Sequence, residues 1–299
     1  MLKIGRFTND KAKAIYLDAY DTVAARWPMA STEFEIETSF GTTHVRKSGS
    51  GEGAPLLLLP SLGGNALFWT PFIQELARDR VVFACDVLGW AGRSEQTAPL
   101  RTEADLAQWG AELVRGLGAG RVHLVGYSQG AWLAAVIGAY HSGLLASLSL
   151  LEPAPVTFAK PSWKILRRFL VAGMRPTRAA MEKFNEWLTP GVRLGDQEWE
   201  MLLAGFKFRP GVPWLPPLAA DRFAAITTPL LVLFGGDTVV HDPQLAADRV
   251  RQRVPTAEIE IYPGVGHELI WATPEQVITR LLGFVSDHDR AKSPAPQTE

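Results

Sequence analysis

Five short apolar runs stand out along the chain, each interrupted by at most one polar residue. Strands that are buried on both faces have this pattern, which is typical of a parallel sheet covered by helices. Amphipathic segments near 67–79, 102–117 and 129–141 lie between the runs and predict helices. The pattern therefore predicts repeated strand–helix units in an α/β fold. The five runs are 55–60, 81–85, 122–125, 148–151 and 230–234.

The amino-terminal part has a different pattern. Apolar residues near helical spacing, an N-cap at Asn9 and a stop before Pro28 predict a helix over 9–27 that packs on the main domain. Polar and apolar residues then alternate over 34–38 and 43–47, which predicts two half-exposed strands.

One stretch breaks the alternation of strands and helices. The 75 or so residues after the run 148–151 have helical patterns, no predicted strand and several tryptophans. An insertion at this point lies above the carboxyl ends of the strands, where ligands bind in open α/β sheets, so we interpret it as a helical cap. Its basic residues suit an anionic substrate or a membrane surface, but we interpret them as a solvated helix face. They are Lys164, Arg167, Arg168, Arg175 and Arg178.

The predicted organisation has four parts. The core ends with a strand over 259–262 and a helix over about 274–286. The tail that follows has two prolines and no large apolar residue, so we expect it to be disordered. The parts are the N-terminal helix (1–30), the core (31–153 and 228–288), the helical cap (154–227) and the disordered tail (289–299).

Composition narrows the partners and the compartment. Among 299 residues, 47% are hydrophobic and the net charge is −1, which gives no reason to expect nucleic acid as a partner. The single cysteine, Cys85, lies in an apolar run, and we interpret it as a buried thiol of a reducing compartment. Residues 1–6 lack an apolar signal core, and no stretch is long enough to span a membrane. We therefore expect a cytoplasmic protein without stable membrane association, and composition gives no indication of its oligomeric state.

The motif Gly-x-Ser-x-Gly over 126–130 carries the candidate chemistry. It follows the run 122–125 and precedes a helical pattern, so Ser128 lies at the apex of a sharp strand–turn–helix. Such a turn forces the serine into a strained backbone conformation and requires residues without side chains two positions away on either side. The helix that follows directs its first N–H groups toward the same point.

A serine nucleophile needs a base and an acid that orients the base. Asp237 ends a glycine-containing turn after the run 230–234, and His267 ends a loop after the strand 259–262. Both residues lie where a strand leaves the sheet, on the same edge as Ser128. His241 is the only rival base, and its place four residues after Asp237 favours a loop residue.

The order of these motifs and the place of the cap resemble the α/β-hydrolase superfamily over residues 30 to 287, and the serine-esterase branch fits best. The resemblance implies a mostly parallel, helix-covered sheet with a helical cap insertion. It also implies that Ser128 is the nucleophile, His267 the general base and Asp237 the acid. Two alternatives for the acid stay open: Asp242, and Glu152 just after the run 148–151, where some members of the superfamily carry it. The turn 86–94 resembles a structural turn of these hydrolases at the rim of the pocket.

The resemblance also indicates an oxyanion hole. Its donors would be the backbone N–H groups of Leu62 and Gln129. This chain has Pro60 and Ser61 where the superfamily usually has His-Gly, so a hydroxyl lies near the expected reaction centre. Candidates for the substrate pocket are Ser61, Trp69, Trp90 and the cap residue Trp163.

The resulting hypothesis is a serine hydrolase that cleaves a small, largely apolar carboxylic ester through an acyl-enzyme. It uses no metal and no cofactor, and its partner is a small-molecule substrate. Lactonase, thioesterase, carbon–carbon hydrolase, perhydrolase and biosynthetic cyclase chemistry use the same three residue types. A non-catalytic small-molecule binding protein is the alternative from a different class.

Overall fold

A computed structural model describes residues 4–158, 161–174, 176–212 and 217–290. Within these residues, nine strands form one sheet and two further strands form a small second sheet. The strands are β1 (Arg6–Phe7), β2 (Ser31–Thr38), β3 (Gly41–Ser48), β4 (Leu56–Leu59), β5 (Val82–Cys85), β6 (Glu95–Gln96), β7 (Val122–Tyr127), β8 (Leu145–Leu151), β9 (Phe208–Arg209), β10 (Leu230–Gly235) and β11 (Glu258–Tyr262).

The large sheet is mostly parallel, as the apolar runs predict. Its order is β11-β10-β8-β7-β4-β5-β3-β2, and β6 pairs with β3. The six strands from β11 to β5 are parallel to their neighbours, whereas β3 pairs antiparallel with β5, β2 and β6. The predicted mostly parallel α/β sheet covered by helices is confirmed.

Helices cover the sheet and fill the segment between β8 and β10. They are α1 (Asp10–Ala24), α2 (Ile73–Leu76), α3 (Glu103–Gly116), α4 (Gln129–His141), α5 (Trp163–Met174), α6 (Arg178–Leu188), α7 (Asp196–Gly205), α8 (Ala220–Ala224), α9 (Pro243–Arg253), α10 (Leu269–Ala272) and α11 (Pro274–Arg290). No helix in the described ranges has the length and apolar character needed to cross a bilayer.

The hydrophobic core has two parts, one on each face of the sheet. Leu57 and Leu59 of β4 pack with α3, α4, α8 and α9. Leu56 and Leu58 of the same strand pack with α1, α2, α10 and α11. The chain after β4 therefore leaves toward one face, and the chain after the neighbouring strand β7 leaves toward the other. A crevice opens between strands whose connections diverge in this way, and it lies at their carboxyl ends.

The helix predicted over 9–27 is α1. The side chain of Asn9 accepts a hydrogen bond from the N–H of Ala12, and this cap satisfies one of the free donors at the start of the helix. Tyr16 and Tyr20 are buried, and their hydroxyls reach the carbonyl of Ala91 and the carboxylate of Asp86. The helix is thus anchored to the turn after β5.

The segment 154–227 contains α5 to α8. Helices α5, α6 and α7 share a small apolar cluster of their own, formed around Ala172, Met181 and Trp199. The segment also contains β9, which pairs antiparallel with β1 and which the sequence pattern did not predict. Two paired residues on each side are too short for the period of a strand to be visible.

Three other elements differ from the sequence pattern. The helix predicted over 67–79 is a 3₁₀ helix (Ala66–Trp69) followed by the short α2, with Pro71 between them. Helix α9 was not predicted, because its exposed surface is rich in charged and polar residues and its apolar face is narrow.

Helix α11 extends to Arg290, beyond the predicted end at 286. The predicted tail start at 289 is therefore wrong, because Asp289 accepts hydrogen bonds from the N–H of Ala54 and from Arg80, and bonds Nε2 of the buried His123. This anchor is polar, so apolar periodicity does not reveal it. The remaining tail residues, 291–299, lie outside the described residues.

Candidate active site

Ser128 lies between β7 and α4, at the carboxyl edge of the sheet. Its backbone is strained, with φ 53° and ψ −114°. A Cβ atom at Gly126 would lie 2.3 Å from the carbonyl oxygen of Gly130, and a Cβ atom at Gly130 would lie 2.3 Å from that of Pro60. Both glycines of the motif are therefore required by close approach of backbone, as the sequence pattern predicted.

His267 lies in the loop after β11 and reaches Ser128. Its Nε2 is 2.9 Å from Oγ of Ser128, which is hydrogen-bond distance. The side chain of His267 is almost completely buried, and the hydroxyl of Tyr127 donates a hydrogen bond to its carbonyl oxygen. The two residues predicted to lie at the same edge of the sheet thus meet, although β8 and β10 separate their strands.

The carboxylate beside His267 belongs to Glu152. Its Oε1 is 3.1 Å from Nδ1 of His267, and its Oε2 accepts a hydrogen bond of 2.7 Å from the N–H of Gly235. Glu152 follows β8 directly, is completely buried and has φ 43°. Its N–H donates to the carbonyl of Leu233, so its backbone is held against β10.

The prediction that Asp237 is the acid is wrong, because Glu152 and not Asp237 lies beside Nδ1 of His267. Asp237 is exposed, its N–H donates to the carbonyl of Val265, and its carboxylate makes no hydrogen bond or ion pair with any described residue. Gly235 and Gly236, which precede Asp237, are explained by close backbone packing. A Cβ atom at Gly235 would lie 2.3 Å from the carbonyl oxygen of Gly266, so this glycine admits the loop that carries His267.

The other alternative acid, Asp242, is the N-cap of α9. Its carboxylate accepts a hydrogen bond of 2.9 Å from the N–H of Leu245. This is a helix-capping role, and it accounts for the residue without any contact to His267.

His241 does not face Ser128 but lies beside Glu152. Its Nε2 is 3.2 Å from the carbonyl oxygen of Pro153 and 3.8 Å from Oε1 of Glu152. Burial, the largest effect, lowers the pKa of His241, so the ring is neutral near pH 7. From the sequence, His241 is expected as a rival base or a loop residue, and no sequence pattern indicates its contact with Glu152.

The loop after β4 lies against the serine turn. Gly130 touches the carbonyls of Leu59 and Pro60, which brings the following residues Ser61 and Leu62 next to the start of α4. The N–H groups of Leu62 and Gln129 have no hydrogen-bond partner among the described residues. Two free donors on adjoining loops are what an oxyanion hole requires.

The turn after β5 has a structural role, as predicted. The carboxylate of Asp86 is buried and accepts hydrogen bonds from the N–H groups of Ala66 and Arg93. Burial is the main reason why the pKa of Asp86 is raised. The turn thereby fixes the segment that follows the Leu62 loop.

The predicted pocket residues are placed differently from one another. Ser61 is partly exposed on the loop after β4. Trp69 is completely buried and Trp90 is 6% exposed, and both pack in the hydrophobic core. Their place in a substrate pocket stays a prediction, because Ser128 and His267 at the site are themselves buried. A large apolar side chain on a short helix fits a core position as well as a pocket, and the sequence does not separate the two. Trp163 is 71% exposed on the outer side of α5.

A group of aromatic side chains lies near the site. The ring of Phe68 packs against Tyr127 and against Trp271, with centroid distances of 5.3 Å and 4.9 Å. Tyr127 precedes Ser128 directly, and its ring lies 6.0 Å from that of His267. Trp271 lies on α10, far from both Phe68 and Tyr127 in the sequence, and gave no signal of its own.

Comparison with known proteins gives a consistent result. The model of the family described as "Alpha/beta hydrolase family" matches residues 56–280. The chain is 26% identical to Carboxylesterase YbfK of Bacillus subtilis over 281 residues, which cover 90% of this chain and 93% of that protein. It is 27% identical to the "Uncharacterized carboxylesterase nap" of the same organism, over 90% of this chain and 91% of that protein. The crystal structure of naproxen esterase (carboxylesterase NP) from Bacillus subtilis has a TM-score of 0.82 at 25% identity, covering 91% of this chain and 97% of that one.

Proposed function

The chain belongs to the α/β-hydrolase family, and from this premise we propose that it is a serine carboxylesterase acting through Ser128, His267 and Glu152. The observation that carries the proposal is the continuous chain from Oγ of Ser128 through His267 to Glu152, with steps of 2.9 Å and 3.1 Å. The similar proteins named as carboxylesterases favour an ester as the substrate.

Glu152 selects the tautomer of His267 in the proposed mechanism. Its carboxylate accepts a hydrogen bond from Nδ1–H, so Nε2 is left free to accept the proton of Ser128. The N–H of Gly235 holds the second carboxylate oxygen and prevents the side chain from rotating away. When His267 becomes an imidazolium, the buried charge of Glu152 stabilises it.

The reaction proceeds in two halves. Oγ of Ser128 attacks the ester carbonyl as His267 takes its proton, and the N–H groups of Leu62 and Gln129 stabilise the oxyanion. His267 then protonates the leaving alcohol, and an acyl-enzyme remains on Ser128. Water that is deprotonated by His267 attacks this acyl group, and the acid is released as Oγ regains its proton.

The proposed substrate is a small, largely apolar carboxylic ester. Leu62 presents a side chain that is 45% exposed next to the proposed oxyanion donor. The partly exposed Phe68 lies in the aromatic group beside Tyr127. Apolar surface at these two places favours acyl or alcohol groups that lose water on binding.

The test combines active-site labelling with turnover. The wild type is incubated with a fluorophosphonate probe and, separately, with an aryl acetate, and Ser128→Ala is the control. We expect labelling and turnover that both disappear in Ser128→Ala. Absence of labelling in the wild type would contradict the proposal, and labelling without turnover of any ester would exclude the esterase activity while keeping Ser128 as a nucleophile.

A further inference from the structure

Helix α5 exposes more apolar surface than any other described helix. Trp163 is 71% exposed, Leu170 58%, Val171 61% and Met174 70%, whereas its buried residues are only Ile165 and Ala172. Single exposed apolar side chains are ordinary in a folded protein, but several on one helix form a patch. We call the four exposed residues the α5 face.

The α5 face is continuous along one side of the helix. At 100° per residue, Trp163, Leu170 and Met174 lie within one narrow stripe, and Val171 lies at its edge. Ile165 and Ala172 lie on the opposite side, which packs against the neighbouring helices. The helix therefore has a second apolar side that no described residue covers.

Positive charge borders the α5 face. Lys164 and Arg167 are exposed, lie on the same side as Val171 and form no ion pair with any described residue. Arg168 continues the row and lies over the ring of Trp187, 4.5 Å from its centroid. No acidic residue occurs from Trp163 to Met174, although the net charge of the whole chain is −1. The positive charge is thus local to this helix.

We propose that the α5 face docks on an anionic lipid surface. An apolar stripe with tryptophan at one end and Lys/Arg along its border is the pattern of helices that lie in the headgroup region of a membrane. The apolar side chains would enter the acyl boundary, and Lys164 and Arg167 would remain at the level of the lipid phosphates. The positive charges of Lys164 and Arg167 favour an anionic lipid surface over an uncharged apolar partner.

This inference changes the interpretation of the basic residues of the cap. A solvated helix face accounts for Lys164, Arg167 and Arg168 but leaves Trp163, Leu170 and Met174 unexplained. Docking of one helix is peripheral and reversible, so it requires no spanning segment. Membrane docking is a property separate from ester hydrolysis, and the proposal of docking does not rest on the proposed esterase activity. Because α5 belongs to the segment that begins directly after Glu152, docking would bring the site close to esters dissolved in lipid.

The experiment measures binding to vesicles by flotation. Ser128→Ala is used as the parent protein, so that lipid hydrolysis does not interfere. We expect binding to vesicles of phosphatidylglycerol mixed with phosphatidylcholine, weaker binding at high salt, and little binding to phosphatidylcholine alone. Leu170→Glu with Met174→Glu should lower the partition coefficient by about tenfold or more. Lys164→Glu with Arg167→Glu should lower it by roughly fivefold for each charge removed.

Matched controls lie elsewhere on the surface. Leu245→Glu changes an exposed leucine of α9, and Lys47→Glu changes an exposed lysine of β3. Neither should alter vesicle binding. Equal binding by all variants, or no binding by the parent, would overturn the proposal and leave the proposed esterase activity untouched. A concentration-dependent dimer that Leu170→Glu and Met174→Glu dissolve, with no vesicle binding, would instead assign the face to a second copy of this chain.

Discussion

The carboxylate of Glu152 lies 3.1 Å from Nδ1 of His267, and it is held there by a strained backbone with φ 43°. Only Ser128 shares a positive φ among the non-glycine residues that the structure describes. Each such residue costs on the order of 1–3 kcal/mol, and the surrounding contacts must over-determine it. Both strained residues belong to the candidate site, and each is tied by its N–H to a neighbouring strand.

The first prediction concerns the identity of the acid. Glu152→Gln keeps the size of the side chain but removes the charge. That charge stabilises the imidazolium form of His267 and selects the tautomer of its neutral form. We expect kcat/KM for an aryl acetate to fall by on the order of 10³- to 10⁴-fold. Asp237→Asn is the matched control, and its kcat/KM should stay close to that of the wild type because Asp237 is exposed. The opposite ranking would restore Asp237 as the acid.

Gly235 is expected to be required for the position of His267. In Gly235→Ala, the new methyl group would lie 2.3 Å from the carbonyl oxygen of Gly266 and push the His267 loop away from Ser128. A displacement of this kind costs on the order of 10²-fold in kcat. Gly283→Ala in α11, where a Cβ atom meets nothing within 4 Å, serves as the control and should be neutral or slightly stabilising. Full activity of Gly235→Ala would show that the loop can move without consequence.

His241 is expected to support Glu152 through the carbonyl of Pro153. His241→Phe removes the N–H donor but keeps a ring against Phe234, and we expect kcat to fall about fivefold with little change in KM. His241→Gln retains an N–H donor and should recover most of the loss. Because burial lowers the pKa of His241, neither variant should move the acid limb of the kcat/KM profile. Equal losses in both variants would indicate a packing role only.

Asp289 is expected to make stability depend on pH. Burial opposes the charge of Asp289. The hydrogen bond and charge of His123, the charge of Arg80 and the hydrogen bond from the N–H of Ala54 together outweigh burial, so the pKa of Asp289 is lowered. A carboxyl group whose pKa is lowered by folding stabilises the folded state above its unfolded pKa and loses this effect as the pH falls. Burial also lowers the pKa of His123, so protonation below about pH 6.5 favours the unfolded state as well.

Urea unfolding at pH 7 and at about pH 2.5 provides the measurement, because the pKa of Asp289 lies below the usual aspartate value of 3.8. Asp289→Asn should lower the free energy of unfolding at pH 7 by about 1 kcal/mol or more, and the difference from the wild type should shrink at the lower pH as Asp289 becomes protonated. Asp287→Asn changes an exposed carboxylate on the same helix and should have little effect at either pH. A difference that is as large at about pH 2.5 as at pH 7 would contradict the linkage.

Much of the core could be predicted from local pattern. Runs such as 122–125 and 230–234 are apolar because both faces of these strands are buried, and burial on both faces is itself the property of a covered parallel sheet. The serine turn could also be predicted from the sequence. Gly126 is required by a backbone contact with Gly130, four residues away, and Gly130 by a contact with Pro60 after the neighbouring strand β4. The polar contacts of Asp289 could not be predicted from the sequence, because its partners Arg80 and His123 are distant along the chain.

The choice between carboxylates was decided by tertiary structure. Glu152, Asp237 and Asp242 all follow strands that end at the same edge of the sheet, so the sequence by itself determined that an acid would be available there, and that Ser128 and His267 would meet. Which acid reaches His267 depends on the backbone direction at each strand end. The turn at Glu152 points its carboxylate inward to the N–H of Gly235, whereas Asp237 lies beyond the glycines that admit the histidine loop. That direction arises from contacts between β8, β10 and the loop after β11, which are far apart in the chain and come together only in the folded protein.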